Sequence, residues 1–131
     1  MSGYSGKRLA DKLGVREGSR LWPSNAPADY EALIGPLPPG AAMAADAAQA
    51  DILHAFVEDR AQLVDQAVFL TTAARQGAAL WISWPKKSST LFADLTEDGV
   101  REIVLPTGWV DVKVCAVDET WSGLKFLRRR K

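Results

Sequence analysis

The sequence predicts an α/β protein with three layers, in which helices cover an open, mostly parallel β-sheet that ends in an antiparallel hairpin. Three observations predict this fold. Strand-like and helix-like segments alternate along most of the 131 residues, as in parallel sheets covered by helices. Residues 51–57 are apolar almost throughout, which is typical of a strand buried on both faces. Residues 109–117, in which valines alternate with polar residues, and residues 121–128 flank a short turn and predict the hairpin. The length predicts a single domain over residues 1–131.

The N-terminal part of the chain contains short elements separated by turn residues. It is predicted to form a helix over 7–13, a strand over 19–22, a helix over 27–34 and a strand over 41–45. Gly14 ends the first helix, so residues 1–16 form an N-terminal arm with a short helix. Pro27 suits the first turn of the second helix, because its missing N–H would have no partner there. The proline-rich residues 35–40 predict an irregular connection.

The C-terminal part contains the longer elements. It is predicted to form a strand over 51–57, a helix over 59–76, a strand over 78–84, a helix after residue 94 and a hairpin over 109–128. Asp59 and Gln62 have the spacing of a capping box at the start of the first of these helices. Its apolar residues recur every three or four positions and predict one buried stripe: Leu63, Ala67, Leu70 and Ala74. Either Asp94 or Thr96 is predicted to cap the second helix.

The segment that follows the strand over 78–84 is the main candidate for ligand binding. The strand stops at Pro85 and opens into two lysines and three hydroxyl residues: Lys86, Lys87, Ser88, Ser89 and Thr90. Ligands of open α/β sheets bind outside the carboxyl ends of the strands. Two cations and several donors would suit a phosphate or a carboxylate there, and Arg101 on the following helix would add a third cation. The alternative is a solvated loop whose lysines keep the sheet soluble.

Two tryptophans and one histidine are further candidates. Trp84 and Trp121 could stack on a ligand or form an interface, with packing in the core as the alternative. His54 lies in an apolar strand and is predicted to be a neutral core residue bonded to the backbone, with general-base catalysis as the alternative. No catalytic residue is predicted. One histidine and one cysteine disfavour a zinc site of the usual ligand types, so no metal is expected.

Charge and cysteine content restrict the expected partners and compartment. Sixteen basic residues balance sixteen acidic ones, so no overall field attracts nucleic acid or a membrane surface. The chain nevertheless ends in a basic tail over residues 129–131, which could touch phosphate or be a solvated end. We expect a small anionic ligand or a second copy of the chain as partner, no membrane and no nucleic acid. The single Cys115 and the absence of a signal or membrane-spanning run predict a cytoplasmic protein.

Residues 51–128 resemble the second half of a class I methyltransferase, which has a Rossmann-like fold. The order of strands, helices and terminal hairpin carries this resemblance. In that family the cofactor lies over a glycine-rich turn after the first strand. Residues 22–27 would form that turn here, and they contain two prolines and no glycine. We therefore expect no cofactor, and adenosylmethionine in particular is disfavoured. Asp46 stands near the place of a ribose-binding acid, with a turn residue or helix cap as the alternative.

Almost the whole chain resembles an uncharacterised bacterial family of short cytoplasmic proteins, known only as a domain of unknown function. Five segments carry this resemblance: residues 1–6, 84–87, 94–97, 111–118 and 120–125. The resemblance implies a fold, that of a truncated class I methyltransferase, and supplies no catalytic residues.

The sequence favours a non-catalytic Rossmann-like module that binds an anionic small molecule or a protein partner. One alternative is a methyltransferase-like enzyme with a degenerate cofactor site. Another is a self-associating structural protein. The absence of a complete catalytic set argues against an enzyme without deciding the question.

Overall fold

The computed structural model of the protein describes residues 8–129. Residues 1–7, which belong to the predicted N-terminal arm and include one segment of the family resemblance, lie outside this range, as do Arg130 and Lys131 of the basic tail. In chain order the elements are α1 (Leu9–Leu13), β1 (Arg20–Ser24), α2 (Tyr30–Ile34), β2 (Ala42–Met43), β3 (Ile52–Phe56), α3 (Arg60–Ala73), β4 (Ala79–Pro85), α4 (Glu97–Val104), β5 (Trp109–Ala116) and β6 (Trp121–Arg128). Short 3₁₀ turns lie at Ala47–Gln49 and Leu105–Thr107.

The strands form one sheet in the order β2-β1-β3-β4-β6-β5. The first four strands in this order are parallel to one another, whereas β6 runs antiparallel to both β4 and β5. The predicted α/β class, mostly parallel sheet and C-terminal hairpin are thereby confirmed. After β1 the chain moves outward to β2 and then returns past β1 to β3. Such a reversal of direction opens a crevice at the carboxyl ends of β1 and β3.

Helices cover both faces of the sheet and give the predicted three layers. α1 and α2 pack on one face, in a core that includes Leu13 and Ile34. α3 and α4 pack on the other face, in a core that includes Leu63 and Val100. β3 and β4 are buried along their whole length between these layers. This two-sided burial explains why both strands appear in the sequence as continuous apolar runs.

Trp81 joins the central strand β4 to α1. Its side chain has no exposed surface, and its indole Nε1 donates a hydrogen bond to the backbone oxygen of Leu13 over 3.1 Å. The ring lies against the bare backbone of Gly123 in β6, where a Cβ atom would stand 3.3 Å from the Trp81 ring and 3.3 Å from Val117. Gly123 therefore allows the indole to approach the strand closely.

The start of α3 is held by side chains on both sides of it. Asp59 accepts a hydrogen bond from the backbone N–H of Gln62 over 2.8 Å, as the predicted cap requires. The Gln62 side chain accepts from the N–H of Glu58 over 2.6 Å, one residue earlier than a capping box would have it. Asp94 accepts from the N–H of Arg60 over 3.0 Å, so it holds α3, and Thr96 caps α4. Three carboxylate and amide groups thus satisfy N–H groups at the start of α3.

Element boundaries differ from the sequence prediction where turns compete with helix. α2 begins at Tyr30, three residues after Pro27, whose carbonyl oxygen accepts from the Tyr30 N–H over 3.0 Å in a turn. α3 ends at Ala73, because Ala74 is extended and Gly77 has a left-handed φ of 88° in the turn before β4. β2 is only two residues long.

The outer strand β5 is irregular. Its register with β6 shifts between Asp111 and Lys113, so that Val112 is an extra residue in a β-bulge. Beyond the bulge Lys113 stands directly opposite Lys125. The side chains of Val112 and Val114 are exposed on this edge.

Candidate functional site

The carboxyl ends of the parallel strands meet at one rim of the sheet. β1 leads to Asn25, β2 to Asp46, β3 to Glu58 and β4 to the loop over 86–90. Because the direction of the chain reverses between β1 and β3, the crevice of this rim lies between Asn25 and Glu58. This crevice is the candidate functional site.

Asn25 forms the turn after β1. Its φ is 54°, in the left-handed region, and it is the only residue other than glycine with a positive φ among residues 8–129. Asparagine reaches this conformation more readily than other residues with a side chain, since its short amide bonds to nearby backbone. The chain therefore makes a left-handed turn at the end of β1 without glycine.

Carboxylates face solvent around this crevice. Asp46 is exposed, and one of its oxygens accepts from the backbone N–H of Gln49 over 3.1 Å, which confirms the cap reading of this residue. Glu58 is exposed at the end of β3, and no cation lies within ion-pair distance of it among residues 8–129. Carboxylates at this position can accept hydrogen bonds from hydroxyl groups or offset the charge of a bound cation.

The lysine loop, residues 86–90, leaves the same rim at the end of β4. The N–H of Lys86 donates to the carbonyl oxygen of Thr120 over 2.8 Å, which ties the loop to the turn between β5 and β6. The hydroxyl of Ser89 accepts from the N–H of Leu91 over 3.0 Å. In the described range neither Lys86 nor Lys87 has a carboxylate within ion-pair distance. The loop thus presents two unpaired cations beside the crevice, and the exposed Ser88 and Thr90 follow them.

Arg101 does not add the third cation that the sequence suggested. Its guanidinium is held by three carboxylates: Asp111 at 2.8 Å, Glu97 at 2.7 Å and Asp98 at 3.3 Å. The hydrogen bond with Asp111 raises the pKa of Arg101 and lowers the pKa of Asp111. A guanidinium already surrounded by carboxylates has little affinity left for an anion, so Arg101 braces α4 against β5 instead.

The two candidate tryptophans are core residues. Trp84 is 4% exposed and packs with α3 and α4, whereas Trp121 is 7% exposed and packs with α1 and α2. Trp121 also makes an edge-to-face contact with Phe56 at 5.0 Å between ring centroids. Neither ring is free to stack on a ligand or partner, because both faces of the sheet are covered at these positions.

A chain of buried side chains lies beneath the rim, and the sequence did not indicate it. The ring of His54 is hydrogen-bonded on both sides. Its Nδ1 lies 2.9 Å from Tyr30 Oη, and its Nε2 lies 2.7 Å from Ser83 Oγ. His54 was expected to bond to backbone, and its partners are side chains instead. Burial lowers the pKa of His54 to about 3 and raises the pKa of Tyr30, so both groups are neutral at pH 7. Since Tyr30 is the first residue of α2, the chain anchors the segment that follows Asn25 to β3 and β4.

No described helix has the length and apolar character needed to cross a bilayer. No cluster of three or more His, Cys, Asp or Glu side chains among residues 8–129 could hold a metal ion.

Comparison with known proteins supplies the fold family. No family model matches the chain, and no curated protein matches it significantly. The chain is similar to the structure of an adenosylmethionine-dependent methyltransferase from Aquifex aeolicus, with a TM-score of 0.64 and 12% identity over 95% of this chain and 90% of that chain. It is also similar to the fibrillarin pre-rRNA processing protein of Methanococcus jannaschii, with a TM-score of 0.58 and 12% identity over 94% and 74% of the two chains. The magnesium protoporphyrin IX methyltransferase of Synechocystis PCC 6803, solved with bound adenosylmethionine, gives a TM-score of 0.53 and 12% identity over 92% and 74%.

These similarities contradict the expectation that no cofactor binds and that adenosylmethionine is disfavoured. Structures similar to this chain belong to methyltransferases that depend on adenosylmethionine, and one of them contains it. The expectation rested on the two prolines and the absence of glycine in residues 22–27, whereas Asn25 reaches a left-handed φ in this turn without glycine. The chain has the Rossmann-like fold of class I methyltransferases in a truncated form.

Proposed function

We propose that this protein binds adenosylmethionine in the crevice between the ends of β1 and β3. The observation that carries the proposal is the left-handed turn at Asn25, placed where the sheet reverses direction. The fold, which is similar to that of adenosylmethionine-dependent methyltransferases, supports it. The Tyr30–His54–Ser83 chain would hold the wall of this crevice in place from below.

The charge around the crevice suits this cofactor. Adenosylmethionine carries a sulfonium and an ammonium cation together with ribose hydroxyls, and carboxylates can serve as partners for all of these groups. Glu58 and Asp46 lie at the ends of β3 and β2 on either side of β1. Both carboxylate oxygens of Asp46 accept hydrogen bonds from Gln49, whereas Glu58 has no cation partner in the described chain. Glu58 is therefore the carboxylate that we assign to the sulfonium of the cofactor.

The lysine loop would hold a second, anionic ligand next to the cofactor. Lys86 and Lys87 carry two charges without carboxylate partners in the described range, and the loop is fixed to the neighbouring turn through Thr120. An anion held there would lie at the same rim as the crevice. This ligand is either a methyl acceptor or the partner of a non-catalytic module.

Reversing the charge of Glu58 is expected to weaken the binding of adenosylmethionine more than the binding of adenosylhomocysteine. Two charges about 4 Å apart in water interact by roughly 1 kcal/mol, and a reversal doubles the change, so Glu58→Lys should weaken adenosylmethionine about tenfold or more. Adenosylhomocysteine lacks the sulfonium. The change in the logarithm of its dissociation constant should therefore be less than half of that for adenosylmethionine. Calorimetric titration of both ligands measures the two effects.

Two matched controls make this test specific. Glu119→Lys places the same charge change in the turn between β5 and β6 and should leave both affinities unchanged. Asn25→Gly keeps the left-handed turn and should retain binding, whereas Asn25→Val, whose branched side chain strains a positive φ, should lose it. If wild-type protein gives no heat and no thermal stabilisation with either ligand at millimolar concentration, the proposed function is wrong.

The lysine loop is tested separately with nucleotides and phosphorylated metabolites. Lys86→Ala combined with Lys87→Ala is expected to reduce the affinity of whichever anion binds by about tenfold or more, since two charge-assisted contacts are removed. Adenosylmethionine affinity should stay within twofold of wild type. If an anion bound the wild type and the double variant equally well, the lysine loop would not be its binding site. Transfer of labelled methyl to that anion would identify an enzyme, and binding without transfer would support the non-catalytic module.

A further inference from the structure

A cavity lies at the rim opposite the candidate functional site. Its volume is about 330 Å³, and it is lined by five residues: Gln76, Gly77, Ala78, Leu127 and Arg128. The first three of these precede β4, and the last two end β6, which runs antiparallel to β4. The cavity therefore lies at the amino ends of the parallel strands, away from Asn25 and the lysine loop.

Arg128 is the charged group in the cavity wall, and its hydrogen bonds are incomplete. Its Nη2 donates to the carbonyl oxygen of Ala74 at the end of α3 over 2.5 Å, and its guanidinium lies 4.7 Å from the ring centroid of Trp109. Its Nε is buried and has no acceptor among residues 8–129. The indole Nε1 of Trp109, a fully buried side chain, also has no acceptor in this range. Two buried donors without acceptors thus belong to side chains that are neighbours, and one of these side chains, Arg128, lines the cavity.

No described carboxylate balances the charge of Arg128. None lies within ion-pair distance of it. The end of α3 and the Trp109 ring compensate part of the charge. The next residue, Arg129, also has no carboxylate partner in the same range. Arg75 pairs with Asp51, and its Nη1 lies 3.8 Å from the point where a Cβ atom would stand on Gly77 in the cavity wall. A half-buried cation without a counter-ion destabilises the folded protein, and an anion bound in the cavity would offset that destabilisation.

We propose that Arg128 is the centre of an oxyanion site that takes a phosphate group at the amino rim of the sheet. A guanidinium has five donors in a fixed fork that matches the oxygens of phosphate. The phosphate can come from a free small molecule or from the backbone of a nucleic acid. This site is distinct from the cofactor crevice and does not depend on it.

Titration of the wild-type protein with inorganic phosphate at constant ionic strength tests the site. Nuclear magnetic resonance is expected to show saturable shifts of the Arg128 Nε–H and Trp109 Nε1–H signals, with a rise in melting temperature. In Arg128→Gln phosphate affinity should fall about tenfold or more, because one charge-assisted partner is lost. Lys113→Gln removes a similar charge from β5 and should bind phosphate as wild type does.

A second arm uses a short single-stranded oligonucleotide. If it displaces phosphate and moves the same two signals, with an affinity that falls steeply with salt, the site takes backbone phosphates. If only inorganic phosphate moves them, the site takes a small molecule. Should Arg128→Gln fail to fold, the wild-type signals still decide the question. Signals of Arg128 and Trp109 that stay in place with both ligands would overturn the proposal.

Discussion

The Trp81→Ala variant is expected to lose about 3–5 kcal/mol of its free energy of unfolding, the range found for removal of large aromatic side chains from cores. The indole is fully buried, contacts the backbone of Gly123 and donates to Leu13. Its removal leaves a cavity and an unpaired carbonyl oxygen, and it detaches α1 from β4. Urea unfolding followed by circular dichroism measures the loss.

Two controls separate packing from the hydrogen bond. Trp81→Phe keeps most of the aromatic packing but removes the donor to Leu13 and part of the buried ring, so about 1–2 kcal/mol should be lost. Val68→Ala changes a side chain of α3 that is 70% exposed and should stay within about 0.5 kcal/mol of wild type. A Trp81→Ala protein as stable as Val68→Ala would show that α1 does not pack on the sheet as described.

Acid is expected to destabilise the protein through His54 well above the pH at which carboxylates titrate. The pKa of this histidine is about 3 in the folded protein, against 6.5 in an unfolded chain. Between these values the unfolded state binds a proton that the folded state excludes, so the free energy of unfolding falls as pH falls from about 6.5 towards 3. The slope is about 1.4 kcal/mol per pH unit, and the loss accumulates to about 5 kcal/mol over the full window. Above pH 7 this contribution is constant.

His54 is the only histidine of the chain, so its titration can be followed without ambiguity. The ring carbon-bound protons should keep a constant chemical shift from pH 8 to pH 4.5 in the folded protein. His54→Gln removes the titrating group and should flatten the stability curve between pH 6.5 and 5, although its stability at pH 7 should be lower because Tyr30 and Ser83 lose their fitted partner. A native histidine that titrates near pH 6.5 would contradict a buried neutral ring.

The parts of the fold that depend on local pattern could be predicted from the sequence. The apolar runs of β3 and β4 and the cap of α3 at Asp59 are local signals, and the structure confirms them. The faces of β5 could not be predicted, because the alternation of its valines continues through the bulge at Val112 while the register with β6 shifts. A one-residue shift of this kind reverses the face of each later side chain.

The candidate site shows the same division between local and long-range information. The position of the lysine loop at the carboxyl rim followed from Pro85 and the parallel sheet. The contacts of Arg101 with Asp111 and of His54 with Ser83 depend on which strands are neighbours and in which register. The left-handed φ of Asn25 could not be predicted for a different reason, since composition alone does not reveal a positive φ.

The bulge in β5 also bears on how molecules of this protein meet. An open sheet ends in strands whose free N–H and C=O groups can pair with another chain and extend into fibrous aggregates. On the β5 side two valines would favour such growth, but the kink at Val112 interrupts the row of free groups. Lys113, exposed on β5 just beyond the bulge, adds a charge of the kind that disfavours pairing of an edge strand with another chain. The bulge and the lysine thereby protect this edge against uncontrolled polymerisation.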